Sequence, residues 1–422
     1  MSPRVRSTWQ AWAEKPLELE VPDGWSVSEY GLPETPVLCE ETISEIINGA
    51  LDRRGMPKKI ARAASACVLV DDVTRPAAWA PVLAALLDGL NARGLTDEKI
   101  RILTALACHA PMNQAELRAK LGEAPMGRVR VDQHSLEAQM TWSKHGGKPV
   151  GLNRIYAEAD LKIALGSIIP HPFAGFSGGG KAVMPGVADL ETIRRNHFLV
   201  AFGRGRVAEC DNPIRRQMDE IAEASGLDLW VGAVCDGQRR IASLHAGPMR
   251  AAFAEAVAFA RPYCAAHVER PHSVIVLNAW PKDGELLQVS NAFNVLRTLP
   301  PEAAEAWRAV VLVARLEKGL GHHGLFGPGG RLYKKPAALR HLKGRPLLVY
   351  APNLAEPEFH EVFAAEYRLF HDWHRLMGAL EAMDPPTRDI GVFHQAAMQT
   401  AEGNPVRLQA RGRPEPAARP IE

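Results

Sequence analysis

The sequence predicts an α/β protein of two domains, each with a mostly parallel sheet flanked by helices, and a ligand cleft between them. Three observations carry this. At 422 residues the chain exceeds what one hydrophobic core usually serves. From about residue 66, short β-branched runs alternate with longer helical patterns, the rhythm of parallel strands joined by helices. A second such series begins near residue 272, after the stretch RPYCAAHVERPH.

The elements follow in order. CVLVDD (67–72) reads as a buried strand, and APVLAALLDGLNARG (80–94) as an amphipathic helix closed by glycine. KIRILTALACH (99–109) is a strand, NQAELRAKLG (113–122) a helix, and DLKIALGSIIPH (160–171) a strand. The second series holds SVIVLNA, AVVLVARLEKGLG and RPLLVYAPN, each followed by loop or helical sequence. Domains are expected at 1–265 and 266–402, with a tail at 403–422 whose Pro, Arg and Ala content predicts disorder. No internal repeat has a fixed period.

Composition narrows the partners. Fifty basic and 48 acidic side chains are interspersed, leaving a net charge of +2, so no broad positive field exists to track nucleic acid. Residues 1–25 carry charges throughout and hold no apolar run of signal or membrane length, so a cytoplasmic location is expected. The six cysteines are scattered without a Cys-x-x-Cys pair and read as buried, reduced thiols rather than disulfides or a zinc site.

Four clusters fall just past predicted strand ends, where ligands of parallel sheets bind. The first is Asp71-Asp72-Val73-Thr74-Arg75-Pro76, a capped turn or an oxyanion clamp built on the planar fork of Arg75. The second is His109, which is either packed or catalytic. The third runs from His171 through Ser177-Gly178-Gly179-Gly180-Lys181 and on to His197. Three glycines after a serine let backbone approach a ligand and aim N–H groups at an anion. Gly175 to Lys181 also fits G-x-x-x-x-G-K, but Ala182 stands where Ser or Thr must hold magnesium, and Pro185 interrupts the required helix. The fourth is Pro281-Lys282-Asp283 with Gln288, either a cleft wall or a solvated turn.

In this order the clusters resemble the nickel-pincer nucleotide-dependent lactate racemase family. The likeness runs from Asp71 to Trp373 and includes D-x-T-R-P at Asp72 to Pro76, H-x-P-M at His109 to Met112, and H-x-x-A-G-F-S-G-G-x-K at His171 to Lys181. P-x-D-x-x-L-x-Q at Pro281 to Gln288 and E-x-G-L-G at Glu317 to Gly321 are similar too. The resemblance implies an isomerase that inverts C2 of a 2-hydroxy acid by hydride transfer to and from a pyridinium mononucleotide, whose two sulfur arms and one carbon hold nickel. Cofactor-making enzymes would be its partners, the first domain its cofactor holder, and the second its substrate and closure domain. By motif position Lys181 would be the covalent tether, His197 the nickel ligand, and His109 with His171 the acid and base. Asp72, Arg75, Ser177, Gly178, Gly179 and Gly180 would hold the cofactor, and Arg75, Gln288, Asn291 and Lys282 the substrate. A cofactor makes chemical sense, since inverting an unactivated C–H by proton abstraction would need a carbanion that oxidation to a ketone avoids.

The chain departs from the family's L-Y-Q-x-x-K at Leu287-Gln288-Val289-Ser290-Asn291, losing an aromatic and a cation. A neutral amide suits a hydroxyl better than a carboxylate, so a substrate larger than lactate is expected, with Trp280 the residue placed to refill the space. Three other readings stay open: a sugar-acid C2 epimerase with the same cofactor, a divalent-metal hydrolase using His109, His171 and His197 as ligands, and a non-catalytic carrier of a nucleotide-like anion.

Overall fold

The run at Ala66–Asp71 shows why sheets form where they do. Its side chains alternate, so Cys67 and Leu69 join one hydrophobic cluster while Val68 and Val70 join another. A strand buried on both faces must be covered by helices on both, as in the middle of a parallel sheet. The computed structural model, which describes residues 4–7, 17–203 and 205–401, contains two six-stranded sheets of this kind.

In chain order their strands are β1 (Ser26–Tyr30), β2 (Ala66–Asp71), β3 (Ile100–Ala105), β4 (Arg130–Gln133), β5 (Leu161–Ser167), β6 (Leu229–Cys235), β7 (Ile241–Gly247), β8 (Val274–Asn278), β9 (Ala309–Val313), β10 (Leu347–Tyr350), β11 (Arg368–Phe370) and β12 (Asp389–Phe393). The first sheet runs β7-β6-β5-β2-β3-β4, parallel except at the β6–β7 edge pair. The second runs β11-β10-β9-β8-β12-β1 and is parallel throughout.

The helices used below are α1 (Glu40–Leu51), α2 (Ala80–Asn91), α3 (Gln114–Leu121), α4 (Leu190–Phe198), α5 (Pro213–Ala224), α6 (Met249–Cys264) and α7 (Trp373–Glu381). Ile47 of α1 and Leu83 of α2 pack on one face of the first sheet; Met218 of α5 and Phe253 of α6 pack on the other. On the second sheet, α7 meets Val274 and Val276 through Leu376, while Ile275 and Leu277 pack against Phe293 and Leu296.

The expected strands form, but end earlier than the apolar runs do. β3 stops at Ala105 because Ala107 takes a left-handed φ of 53°, which leaves His109 on a loop. β5 stops at Ser167, after which Pro170–His171 pairs with Gly175–Phe176 in a small hairpin. One placement differs from the sequence division at 265. β1 hydrogen-bonds to β12, and Leu19, Val21 and Trp25 join the hydrophobic cluster of the second sheet. The tail at 403–422 lies outside the described residues. Among the described residues no helix is long and apolar enough to cross a membrane. The cysteines are free thiols, buried except for Cys39, which is exposed, and the half-buried Cys210.

Candidate active site

The carboxyl ends of β2, β3, β5, β8 and β9 open on one cavity of about 400 Å³. Asp72, Arg75 and His109 line it from the loops after β2 and β3, and His171, Ser177, Gly178 and Lys181 from the loop after β5. Lys282, Gln288 and Asn291 come from the loop after β8, and His323 from the loop after β9. His197 reaches it from α4, a helix started by Asp189, whose carboxylate accepts N–H bonds from Glu191 and Thr192. The structure therefore brings together candidates spread over more than 200 residues of sequence.

Among the described residues, four histidines line the cavity, linked through two phenylalanines in an arc. Ring centroids run His171 to Phe173 at 4.5 Å, Phe173 to His197 at 5.3 Å and His197 to Phe326 at 5.8 Å. Phe326 to His323 follows at 5.1 Å and His323 to His109 at 5.2 Å, so His109 and His171 stand at opposite ends.

The partner of each Nδ1 sets what each Nε2 offers. His109 gives Nδ1–H to the Asp72 carboxylate at 2.8 Å, leaving a lone pair on Nε2 that faces the Gln288 amide at 3.4 Å. His197 gives Nδ1–H to the Ile193 carbonyl at 3.1 Å and also keeps an Nε2 lone pair. His171 is the reverse: its Nδ1 accepts from the backbone N–H of Ala174 at 3.2 Å and Phe173 at 3.5 Å, so Nε2 carries the proton. His323 repeats that pattern with Leu325 and Phe326, both at 3.2 Å. Two rings thus present lone pairs and two present N–H groups.

Burial disfavours the imidazolium form in most of these rings. Burial and then Lys181 push His197 down to about 3, and His171 falls well below the usual range for the same reasons, with Arg75 and Lys282 adding to it. His323 is pushed down to about 2 by burial, then by His109, His197 and Lys181. For Asp72, burial opposes ionisation, but His109, Arg75 and Thr74 outweigh it and hold the carboxyl well below its ordinary range.

The other charges are arranged for an anion. Asp71 is spent on Trp79 Nε1 at 2.7 Å, the Ser167 N–H at 2.7 Å and Lys120. Arg75, Lys181 and Lys282, by contrast, form no ion pair among the described residues. Arg75 donates to Thr74 Oγ1 at 2.8 Å and Lys282 to Gln288 Oε1 at 3.3 Å, both neutral acceptors. Burial, then Arg75 and Arg215, push the Lys181 ammonium down to about 7, and burial with Arg75 pushes Lys282 well below its ordinary range. Lys282 is only 3% exposed, which corrects the solvated-turn alternative.

The glycine block is built differently from the sequence expectation. Ser177 Oγ donates to the Ser167 carbonyl and accepts from the Ile169 N–H at 3.0 Å, so its hydroxyl is already committed inside the protein. Gly179 and Gly180 do not line the cavity. The Gly180 N–H goes to Asp219 Oδ1 at 3.0 Å, and a Cβ there would come within 2.6 Å of the Met218 carbonyl. These two glycines are needed for close packing rather than for holding an anion; Gly178, with φ of 79°, remains on the wall. Trp280 lies behind the wall against Ile169 and Met398, so it does not refill the space beside Leu287.

Two contributors escaped the sequence reading. Arg215 donates to the carbonyls of Ala174, Phe176 and Gly178 and so fixes the loop carrying Lys181; nothing local in DNPIRRQ signals this. His323 lies ten residues beyond the end of β9 at Val313, too far for the strand-end rule that found His109. The three-histidine metal site is corrected, because among the described residues no group of three or more His, Cys, Asp or Glu side chains is arranged to hold an ion. His171 moreover presents N–H where a ligand needs a lone pair.

Fold and cavity together define a two-sheet α/β protein with a cation-lined cavity at parallel strand ends. The chain is similar to lactate racemases in sequence and in fold. The model of the lactate racemase N-terminal domain matches residues 12–208. The lactate racemase of Thermoanaerobacterium thermosaccharolyticum is 28% identical over 268 residues, which are 61% of this chain and 62% of that protein. The lactate racemase of Lactiplantibacillus plantarum is 27% identical over 296 residues, 68% of each chain. Among solved structures, the lactate racemase apoprotein from T. thermosaccharolyticum matches with a TM-score of 0.73 at 19% identity, covering 95% of this chain and all of that one. A Thermotoga maritima protein matches at 0.64 and 16%, covering 88% of this chain and all of that one.

Proposed function

We propose that this protein is a racemase or epimerase acting at C2 of a 2-hydroxy acid, with a nickel-pincer nucleotide tethered at Lys181. The observation that carries the reading is the division of the cavity's rings into lone-pair and N–H histidines beside a lysine whose pKa is about 7. An amine near neutrality is partly unprotonated and nucleophilic, as covalent attachment requires. His197 Nε2, oriented by the Ile193 carbonyl, would be the nitrogen donor to nickel. Arg75 and Lys282 supply positive charge for the anionic groups. When bound, the cofactor supplies a hydride acceptor that lets C2 pass through a ketone.

The chain's own residues do the rest. The Asp72 carboxylate fixes the His109 tautomer, and Nε2 accepts the proton of the C2 hydroxyl. His171 faces the same space with Nε2–H and donates to the oxygen at C2 from the other end of the arc. The two are not equivalent as built. For His171 to take a proton in the reverse direction, its ring must give up the contacts at 3.2 and 3.5 Å from Ala174 and Phe173.

Leu287 and Asn291 both line the cavity, with Asn291 giving Nδ2 to the Gln288 carbonyl at 2.8 Å. The position of Trp280 outside the cavity, with Leu287 smaller than the family's aromatic, supports a substrate larger than lactate. The test is protein co-expressed with a nickel-pincer pathway. Intact mass should show an addition at Lys181, metal analysis should find nickel, and chiral chromatography should show racemisation of a panel of enantiopure 2-hydroxy acids. Highest kcat/KM on lactate would refute the size argument.

A further inference from the structure

Resting on the reading of this cavity as a 2-hydroxy acid site, we propose that His323 is a specificity-determining residue that donates Nε2–H to an oxygen on C3 of the substrate. The site would then prefer 2,3-dihydroxy acids, such as glycerate or longer polyhydroxy acids, to acids with a bare carbon at C3.

Four observations lead there. His323 lines the cavity, and its hydrogen-bond partners are both at Nδ1, so Nε2–H has no protein acceptor among the described residues. Its tautomer is held by two backbone N–H groups, which makes it a donor that stays neutral. It sits beside His109, centroids 5.2 Å apart, and the backbones of the two residues form a β-bridge while the Gly324 N–H bonds the Cys108 carbonyl at 2.9 Å. The cations Arg75 and Lys282 already provide for a carboxylate, whereas a neutral donor matches a neutral hydroxyl.

Geometry then selects the atom. If His109 Nε2 receives the C2 hydroxyl, the next ring along the arc meets the neighbouring carbon. Vicinal oxygens lie about one hydrogen-bond length apart, a spacing that two adjacent imidazoles can serve together. A site that hydrogen-bonds a substrate oxygen also discriminates against the analogue lacking it.

The experiment compares glycerate with lactate, which differ only in the oxygen on C3, using cofactor-loaded protein. In His323→Asn the new Oδ1 replaces Nδ1 and preserves the turn, but no donor reaches the Nε2 position. Its ratio of kcat/KM on glycerate to kcat/KM on lactate should fall about tenfold or more. His323→Gln returns a donor near Nε2 and should restore the preference for glycerate. Independently of turnover, the His323 Nε2–H resonance of the parent should move on adding glycerate and stay on adding lactate. Equal losses on both acids, no loss on either, or an unmoved resonance would overturn the proposal. If His323→Asn does not fold, His323→Gln and the resonance still decide it. Failure of the racemase reading shows separately, as absence of racemisation of either acid by the loaded parent.

Discussion

Lys181 is a lysine held where its charge is unwelcome. Its pKa of about 7 in the folded chain, against an ordinary value above 10, means the unfolded state binds more protons between those limits. Stability therefore rises with pH across that window, and the penalty is fully present below about pH 7. In protein made without cofactor, Lys181→Met should gain on the order of 3 kcal/mol at pH 6, and the gain should vanish as pH approaches 10, measured by denaturant midpoints. A gain independent of pH would place the lysine in a different environment. The same substitution should remove the covalent mass addition in co-expressed protein. For the histidines, His109→Ala and His171→Ala should each lower kcat roughly 10²- to 10⁴-fold while nickel content and added mass stay unchanged. The motif positions of both residues were legible in the sequence; their opposite tautomers were not, since these depend on Asp72 in one case and on two backbone N–H groups in the other.

Helix α4 shows how a segment ties sequence signals to the site. Asp189 is a readable start signal, followed by Glu191 in the first turn, and the helix it begins carries His197 in its last turn. The same carboxylate also accepts the Gly151 N–H at 2.9 Å and the Thr192 hydroxyl, so it anchors the helix to its neighbour as well as capping it. Asp189→Ala should cost about 1 to 2 kcal/mol, the range of a lost cap, with nickel content falling because His197 is no longer held in place. Unchanged metal content at reduced stability would confine Asp189 to a capping role. Helix α3 is a second case: a helix is expected from residue 113, and there Asn113 and Glu116 form a capping box. Its Glu116 also pairs with Lys318, beyond the second sheet's β9, which no local pattern could announce.

The two sheets share one chain in a way that a single cut does not capture. β12 is flanked by β8 on one side and by β1 on the other, so the second sheet needs residues from near the N-terminus. A fragment of residues 266–402 should expose the edge of β12 and lose the packing of Leu19, Val21 and Trp25, and should aggregate. A version that also supplies residues 17–38 should be monomeric and folded by size exclusion and circular dichroism. If the shorter fragment is equally soluble and cooperative, β1 is an ornament rather than a part of that unit. Contacts between the sheets run through the cavity itself, by Gln288 to His109 and by the His109–His323 bridge.

The α/β class, the order of the strands in β2, β3, β5, β8, β9 and β10, and the clusters at Asp72, His109, His171 to Lys181 and Lys282 were all readable from the chain. Each is local: burial on two faces writes an apolar run, and a strand end in a parallel sheet writes polar residues immediately after it. What the chain alone left open was set by groups distant in sequence. Lys282 is buried because Arg75, Gln288 and the first sheet's loops close over it, and Ser177 is turned inward by Ser167 and Ile169. Gly180 packs on α5, and β1 finds its place beside β12. A hydrogen-bond partner is chosen by position in space, and sequence periodicity reports only which side of a segment meets water.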